Sequence, residues 1–171
     1  MEFLEKDLEK IIYDANRDNP ESLIKSGLHT LAFDKLMKRQ LSIGAYGVAD
    51  LVTFQRRYDY IWDEDSTSET RIPKLQVTVY ELKKDKIGIS AYLQALRYVR
   101  GLQRYFESRK FSHKIEFRIV LIGRRIDNSG SFPFIADFNE NITFFTYSYG
   151  IDGLKFRQEC NYHYTQENFK L

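Results

Sequence analysis

Cysteine and histidine are scarce: the chain has one cysteine, Cys160, and three scattered histidines in 171 residues. An intramolecular disulfide is therefore excluded, and no Cys/His spacing resembles a structural zinc site. This usage suits a reducing interior. Charge of one sign is also lacking, since 26 basic residues against 24 acidic ones leave a net +2. So small an excess does not diagnose nucleic-acid binding, and any basic surface has to be local. Long apolar runs are missing too, none approaching the ~20 residues that cross a bilayer. The start, MEFLEKDLEKII, lacks the basic n-region and apolar h-region of a secretory signal. The expectation is a cytoplasmic protein without a membrane segment. There is no internal repeat and no low-complexity stretch.

What is present is the profile of a folded chain: 43% hydrophobic, 29% charged and 15% aromatic residues. The length suits one domain, residues 1–171, with a core rich in Phe and Tyr. In residues 2–16, Phe3, Leu4, Leu8, Ile11, Ile12 and Ala15 recur at helical spacing, which predicts an amphipathic first helix. Asn19-Pro20 breaks it, and the segment up to Leu36 has no clear period. LSIGAYGVADLVTF reads as a strand ending near Phe54 with Asp50 inside it, and RRYDYIW (56–62) as a second strand. DEDSTSETRIP reads as a surface loop, and KLQVTVYELK, which alternates apolar and polar residues, as the clearest strand. From Ile89 to Arg109 a stripe of Ile89, Leu93, Leu96, Val99, Leu102 and Phe106 predicts a long amphipathic helix. IEFRIVLIG, ITFFTYSYG and LKFRQECNYHY follow as strands, with DNSGSFP as a turn. This order predicts an α/β or α+β domain around one mixed sheet.

Chemistry concentrates in the middle of the chain. Glu81 and Lys83 are two apart, so a regular strand projects both from one face and turns Leu82 into packing. Asp50, flanked by Val48, Ala49, Leu51 and Val52, is a charge in an apolar run, which is costly unless the group is paired or bound to metal. Asp50 and Glu81 on neighbouring strands would offer an oxygen cage of the kind Mg²⁺ accepts. A lysine beside such a cation can orient an activated water or stabilise charge on a phosphoryl oxygen, which is the chemistry of phosphodiester hydrolysis. Glu-x-Lys is common in any strand with a wet face, and a lone Asp is often a salt-bridge partner, so the argument rests on the combination. On the first helix Glu5 and Glu9 share a face; either could reach the metal, or both could pair with Lys6 and Lys10 in solvent. On the long helix Gln94 and Tyr98 have the same spacing and could support the site or touch a substrate backbone. Alternatively Tyr98 is core and Gln94 merely exposed.

Taken together, Glu5, Gly47-Val48-Ala49-Asp50, Glu81-Leu82-Lys83 and Gln94-Ala95-Leu96-Arg97-Tyr98 resemble the PD-(D/E)XK nuclease superfamily, in particular RecB-like members with a helical QxxxY motif. The resemblance covers residues 1 to about 108, with a strand at 115–123 completing the core. It implies a restriction-endonuclease-like αβββαβ core, a mixed central sheet flanked by helices, with extra C-terminal strands. It implies Asp50, Glu81 and Lys83 as catalytic residues, Mg²⁺ (or Mn²⁺) held by Asp50, Glu81, the Leu82 carbonyl and Glu5, and Glu9 as the substitute helix carboxylate. Gln94 and Tyr98 would carry the supporting motif, with Arg97 and Arg100 near the phosphate backbone. No Pro precedes Asp50, where the pattern has one. The stretch from Asp50 to Glu81 has room for an extra hairpin strand.

Lys35, Lys38, Arg39, Lys84, Lys86, Arg97, Arg100 and Arg104 gather around these motifs in sequence, either as a phosphate-tracking surface or as ordinary solvated charge. The leading expectation is a metal-dependent nuclease acting on DNA, with RNA left open. A catalytically inactive nucleic-acid-binding module on the same fold is the alternative. A third is an interaction protein using the aromatic strands FFTYSY and CNYHY as a partner or homodimer surface. With no extra domain for site recognition visible in so short a chain, the expectation is either structure-directed cleavage or recruitment by another protein.

Overall fold

A computed structural model of the chain describes residues 4–29, 36–62, 69–127, 129, 132 and 141–159. Two helices open it, α1 (Glu5–Asp18) and α2 (Pro20–Lys25); strands β1 (Leu36–Ser42), β2 (Val48–Trp62) and β3 (Glu69–Leu82) follow, and the two-residue β4 (Lys86–Ile87) precedes the long helix α3 (Ile89–Ser108). β5 (Lys114–Gly123), the short β6 (Arg125–Ile126), β7 (Ile142–Gly150) and β8 (Gly153–Glu159) complete the order. The main sheet runs β1-β2-β3-β5-β7-β8. Its outer pairs are antiparallel, whereas β3–β5 and β5–β7 are parallel. This is the mixed sheet flanked by helices, αβββαβ with extra C-terminal strands, that the sequence predicts.

The layers follow from burial on both faces. β5 reads Ile119-Val120-Leu121-Ile122 with every residue buried, as a parallel strand covered on two sides requires. On one face Leu8, Ile12, Leu23 and Leu28 pack with Tyr80, Leu82, Val120 and Phe145. On the other, α3 lays Ala91, Ala95, Tyr98, Val99 and Leu102 over Val77, Val79, Ile119 and Leu121. The expected stripe on α3 is therefore displaced: Ile89 and Leu93 are exposed, and the buried side includes small residues that let helix and sheet approach closely. Ile89 and Leu93 also satisfy helical spacing, so period alone does not separate the two faces.

Three boundaries differ from expectation. The stretch 41–54 is not one strand: β1 ends at Ser42, a 3₁₀ turn spans Gly44–Tyr46, and β2 starts at Val48. Residues 56–62 are the continuation of β2, and Arg71-Ile72-Pro73 lie within β3 rather than in a loop. The length between Asp50 and Glu81 thus goes into one long antiparallel pair, registered from Leu51↔Tyr80 to Trp62↔Glu69, instead of an extra hairpin strand. β1 reaches only as far as Phe54, and β5 only as far as Lys74, so the far part of this pair is, among the described residues, a two-stranded ribbon free of sheet neighbours. Pro73 is tolerated there because no inner ladder needs its N–H.

The aromatic strand FFTYSY is mostly core: Phe144, Phe145 and Tyr147 are buried, and only Tyr149 stands out, so it offers no continuous aromatic seam. CNYHY, residues 1–3, Lys35, the DEDSTS segment and most of DNSGSFP lie outside the described residues. No helix among the described residues is long and apolar enough to cross a membrane.

Candidate active site

Asp50 is the third residue of β2 and Glu81 the penultimate residue of β3, each one step beyond the pair Leu51↔Tyr80. Residues opposite one another on antiparallel strands project from the same side, so the register brings together two carboxylates that are far apart in sequence. Leu82 is fully buried on the opposite face, as period two demands. The Leu82 backbone N–H donates to Asp50 Oδ2 at 2.9 Å and holds that carboxyl at the strand end. Lys83 Nζ donates to Glu81 Oε1 at 2.7 Å. The second oxygen, Glu81 Oε2, is buried without a hydrogen-bond partner.

Opposite Asp50 the β1 ladder is interrupted, since the pairing passes from Arg39↔Leu51 to Leu41↔Ala49. Gln40 between them has φ 49°, a left-handed conformation unusual for a side-chain-bearing residue. Its amide donates to Glu9, as does Arg39. Glu9 is thereby buried and occupied by β1, whereas Lys10 pairs with Asp14. Glu5, one turn earlier, instead accepts from the Lys84 backbone N–H at 3.2 Å and lies 3.7 Å from Lys83 Nζ. Of the two helix carboxylates, Glu5 is the one directed at the Lys83 end of the site.

The electrostatics are those of two carboxyls forced together with little water. Burial, reinforced by Glu5 and only partly offset by the Leu82 N–H and Lys83, pushes the Asp50 carboxyl up to about 6. Burial and the neighbouring Asp50 push Glu81 up to about 7 against the opposing pull of Lys83. Burial alone would lower the Lys83 ammonium, but its hydrogen bond to Glu81 and the charges of Glu81, Glu5 and Asp50 outweigh it and raise it. Lys83 is therefore a fixed cation between carboxylates.

Helix α3 supports the start of β2. Tyr98 is buried and accepts from Gln94 Nε2 at 2.7 Å, so the two do form a pair on one side of the helix. A Cβ at Gly47 would stand 3.1 Å from the Tyr98 ring and 3.2 Å from Arg97 Nη2, and Gly47 has φ +108°. Glycine there satisfies both the backbone and the close approach, just ahead of Asp50 on the chain. Arg97 thus borders the entry to β2, whereas Arg100 contacts Gln103 on the exposed side of the helix. Of the remaining basic residues, Arg39 is tied to Glu9 and Lys86 to Asp127, so neither is a free cation at the site.

Two contributors carry no signature in the sequence. Tyr147 of β7 donates its hydroxyl to the Lys84 carbonyl at 2.6 Å, and the Arg124 guanidinium lies 5.9 Å from the Tyr147 ring centre. Together with Glu5 they hold the Lys83-Lys84 segment from both sides. Only strand order, which places β5 and then β7 beyond β3, brings them there, and no local pattern signals it.

Among the described residues no three His, Cys, Asp or Glu side chains converge as a ready-made metal cage. Two close carboxylates, one with an unpartnered buried oxygen, do suit Mg²⁺, which commonly takes one or two carboxylates and fills its remaining positions with water or substrate phosphate. Compared with protein-family models, with curated proteins and with solved structures, the chain matches none.

Proposed function

We propose that the protein is a metal-dependent nuclease of the PD-(D/E)XK type, hydrolysing phosphodiester bonds, in DNA before RNA. The observation that carries this reading is the pairing of Asp50 with Glu81 at adjacent strand ends, with Lys83 Nζ 2.7 Å from Glu81 and the second Glu81 oxygen buried and unpartnered. The αβββαβ order of elements supports it in outline.

In this reading Asp50 and Glu81 would hold Mg²⁺ or Mn²⁺, with Glu5 and the Leu82 carbonyl as further oxygen donors. Bound there, such a cation would supply Lewis acidity and charge neutralisation. Asp50 is oriented by the Leu82 N–H, so one oxygen is fixed and the other remains available. Lys83 keeps its proton and presents a positive charge to a phosphoryl oxygen as negative charge develops there. Glu5, bonded to the Lys84 N–H, fixes where Lys83 begins, and Tyr98 fixes the start of β2 through Gly47.

The test is cleavage of single-stranded, duplex and branched DNA with Mg²⁺, Mn²⁺ or EDTA by native protein and folded Asp50→Ala, Glu81→Ala and Lys83→Ala variants. Metal-dependent cutting abolished by each substitution is the expected result. Native protein that binds DNA but never cuts it, in any of these conditions, would replace the nuclease by a binding module on the same fold.

A further inference from the structure

A cavity of about 600 Å³ opens between β1, the turn Gly44–Tyr46 and the C-terminal half of α3. That volume is within the range of small-molecule sites. Its walls are apolar and aromatic, with Leu41, Ile43, Tyr46, Phe54 and Phe106 among them, and no acidic residue lines it. The aromatic wall is built in: a Cβ at Gly101 would fall 2.5 Å from Ile43 and 2.7 Å from the Tyr46 ring, so α3 is hollowed there to seat Tyr46. Lys38 and Arg104 also line the cavity, and neither forms an ion pair among the described residues. An apolar cavity with two uncompensated cations and no carboxylate matches a ligand that is flat and apolar at one end and anionic at the other.

The cavity also has a fixed relation to the candidate active site. Phe54 lines it, and Asp50 lies four residues earlier on the same strand, on the same face by period two. Four residues of strand span about 13 Å, roughly four steps of a stacked nucleic-acid strand.

We propose that this cavity receives an unstacked nucleotide of a single strand, its base against Tyr46 and Phe54 and its phosphate on Lys38 and Arg104. The proposal deepens the nuclease reading and rests on it for the class of ligand. A seated base would fix the position of the strand relative to Asp50 without sequence-specific hydrogen bonds, because every base offers a π-face. Loss of one such stacking interaction typically costs about tenfold in affinity.

The experiment is fluorescence anisotropy in EDTA, comparing a labelled decathymidylate with an abasic decamer of equal charge. Native protein is expected to prefer the thymidylate by about tenfold. Ala45→Trp, which fills the cavity from the exposed turn, should remove that preference while leaving abasic binding intact. Tyr105→Ala, at the exposed rim, is the second variant if Ala45→Trp does not fold, and should weaken the preference. Lys38→Ala/Arg104→Ala should weaken both oligonucleotides and lower the salt slope by about one to two. Equal affinity of native protein for the two decamers would overturn the proposal, as would retention of the preference in folded Ala45→Trp. Laurate binding more tightly than the thymidylate would overturn it in favour of a lipid-type amphiphile. If Glu81-dependent cleavage is present but the base preference is absent, only the cavity assignment falls; if no nucleic acid is bound or cut, both fall.

Discussion

Neutralising Glu81 should stabilise the metal-free protein at alkaline pH, although the residue sits at the centre of the candidate site. Its carboxyl rises from an ordinary 4.5 to about 7 in the folded chain, because it is buried beside Asp50. A raised carboxyl pKa means that the folded state binds the proton more tightly than the unfolded state. The resulting stability is full below about 4.5 and is lost as pH rises through about 7. Taken alone, that interval corresponds to about 3 kcal/mol. Coupling to Asp50 and local relaxation around the pair reduce the expectation to about 1–2 kcal/mol. Glu81→Gln keeps an oxygen that can accept from Lys83 but carries no charge. Urea unfolding in EDTA at pH 5 and pH 8 measures the difference. Native protein should lose about 1–2 kcal/mol relative to Glu81→Gln between the two pH values. Adding Mg²⁺ at pH 8 should restore the native protein, by about 1.4 kcal/mol at ten times its Kd, and leave the variant nearly unchanged. If the native and variant stabilities run parallel from pH 5 to pH 8, the crowded-carboxylate argument is wrong.

Further predictions test the surroundings of the site. Lys83→Ala should lower single-turnover cleavage by about 100-fold or more without lowering Mg²⁺ affinity, measured by isothermal titration, since its loss removes a competing cation. Arg39→Ala should destabilise by about 2–3 kcal/mol, because Glu9 is then buried with only Gln40 to bond it; a thermal melt of the Arg39→Ala/Glu9→Leu double variant should recover most of that loss. Gly47→Ala should cost about 1–3 kcal/mol through its positive φ and its approach to Tyr98, and slow cleavage more than Tyr98→Phe, which removes only the Gln94 bond. Replacing Arg56 and Arg57 on β2 and Arg71 on the outer part of β3 by Ala should flatten the salt dependence of duplex binding by about 0.9 for each phosphate no longer neutralised.

The ribbon and the shifted α3 face illustrate where local pattern ceases to be informative. RIP reads as loop because its residues are polar or turn-forming, yet Arg71-Ile72-Pro73 pair with Tyr60, Asp59 and Tyr58 in an unbroken ladder. A two-stranded ribbon has no buried face to impose alternation, so its sequence carries little strand signal. On α3, Ile89 and Leu93 fit the period as well as Ala91 and Ala95 do, and the close approach to Val77 and Val79 favours the smaller pair. The turn at Gly44–Tyr46 is hidden because its glycine is embedded among apolar residues.

What the sequence determined by itself was the existence and order of α1, β3, α3, β5, β7 and β8, the shared face of Glu81 and Lys83, and the burial of Leu82, because periodicity and side-chain alternation are local properties. It also singled out Asp50 as a charge in an apolar strand. What only the tertiary structure decided was which distant groups meet. The β2–β3 register sets Asp50 beside Glu81, α1 sends Glu5 to Lys83 and Glu9 to Arg39, and strand order carries Tyr147 to the Lys84 carbonyl. Those meetings depend on how faces are buried against one another, and the energy that fixes them is summed over the whole core rather than written in any one segment.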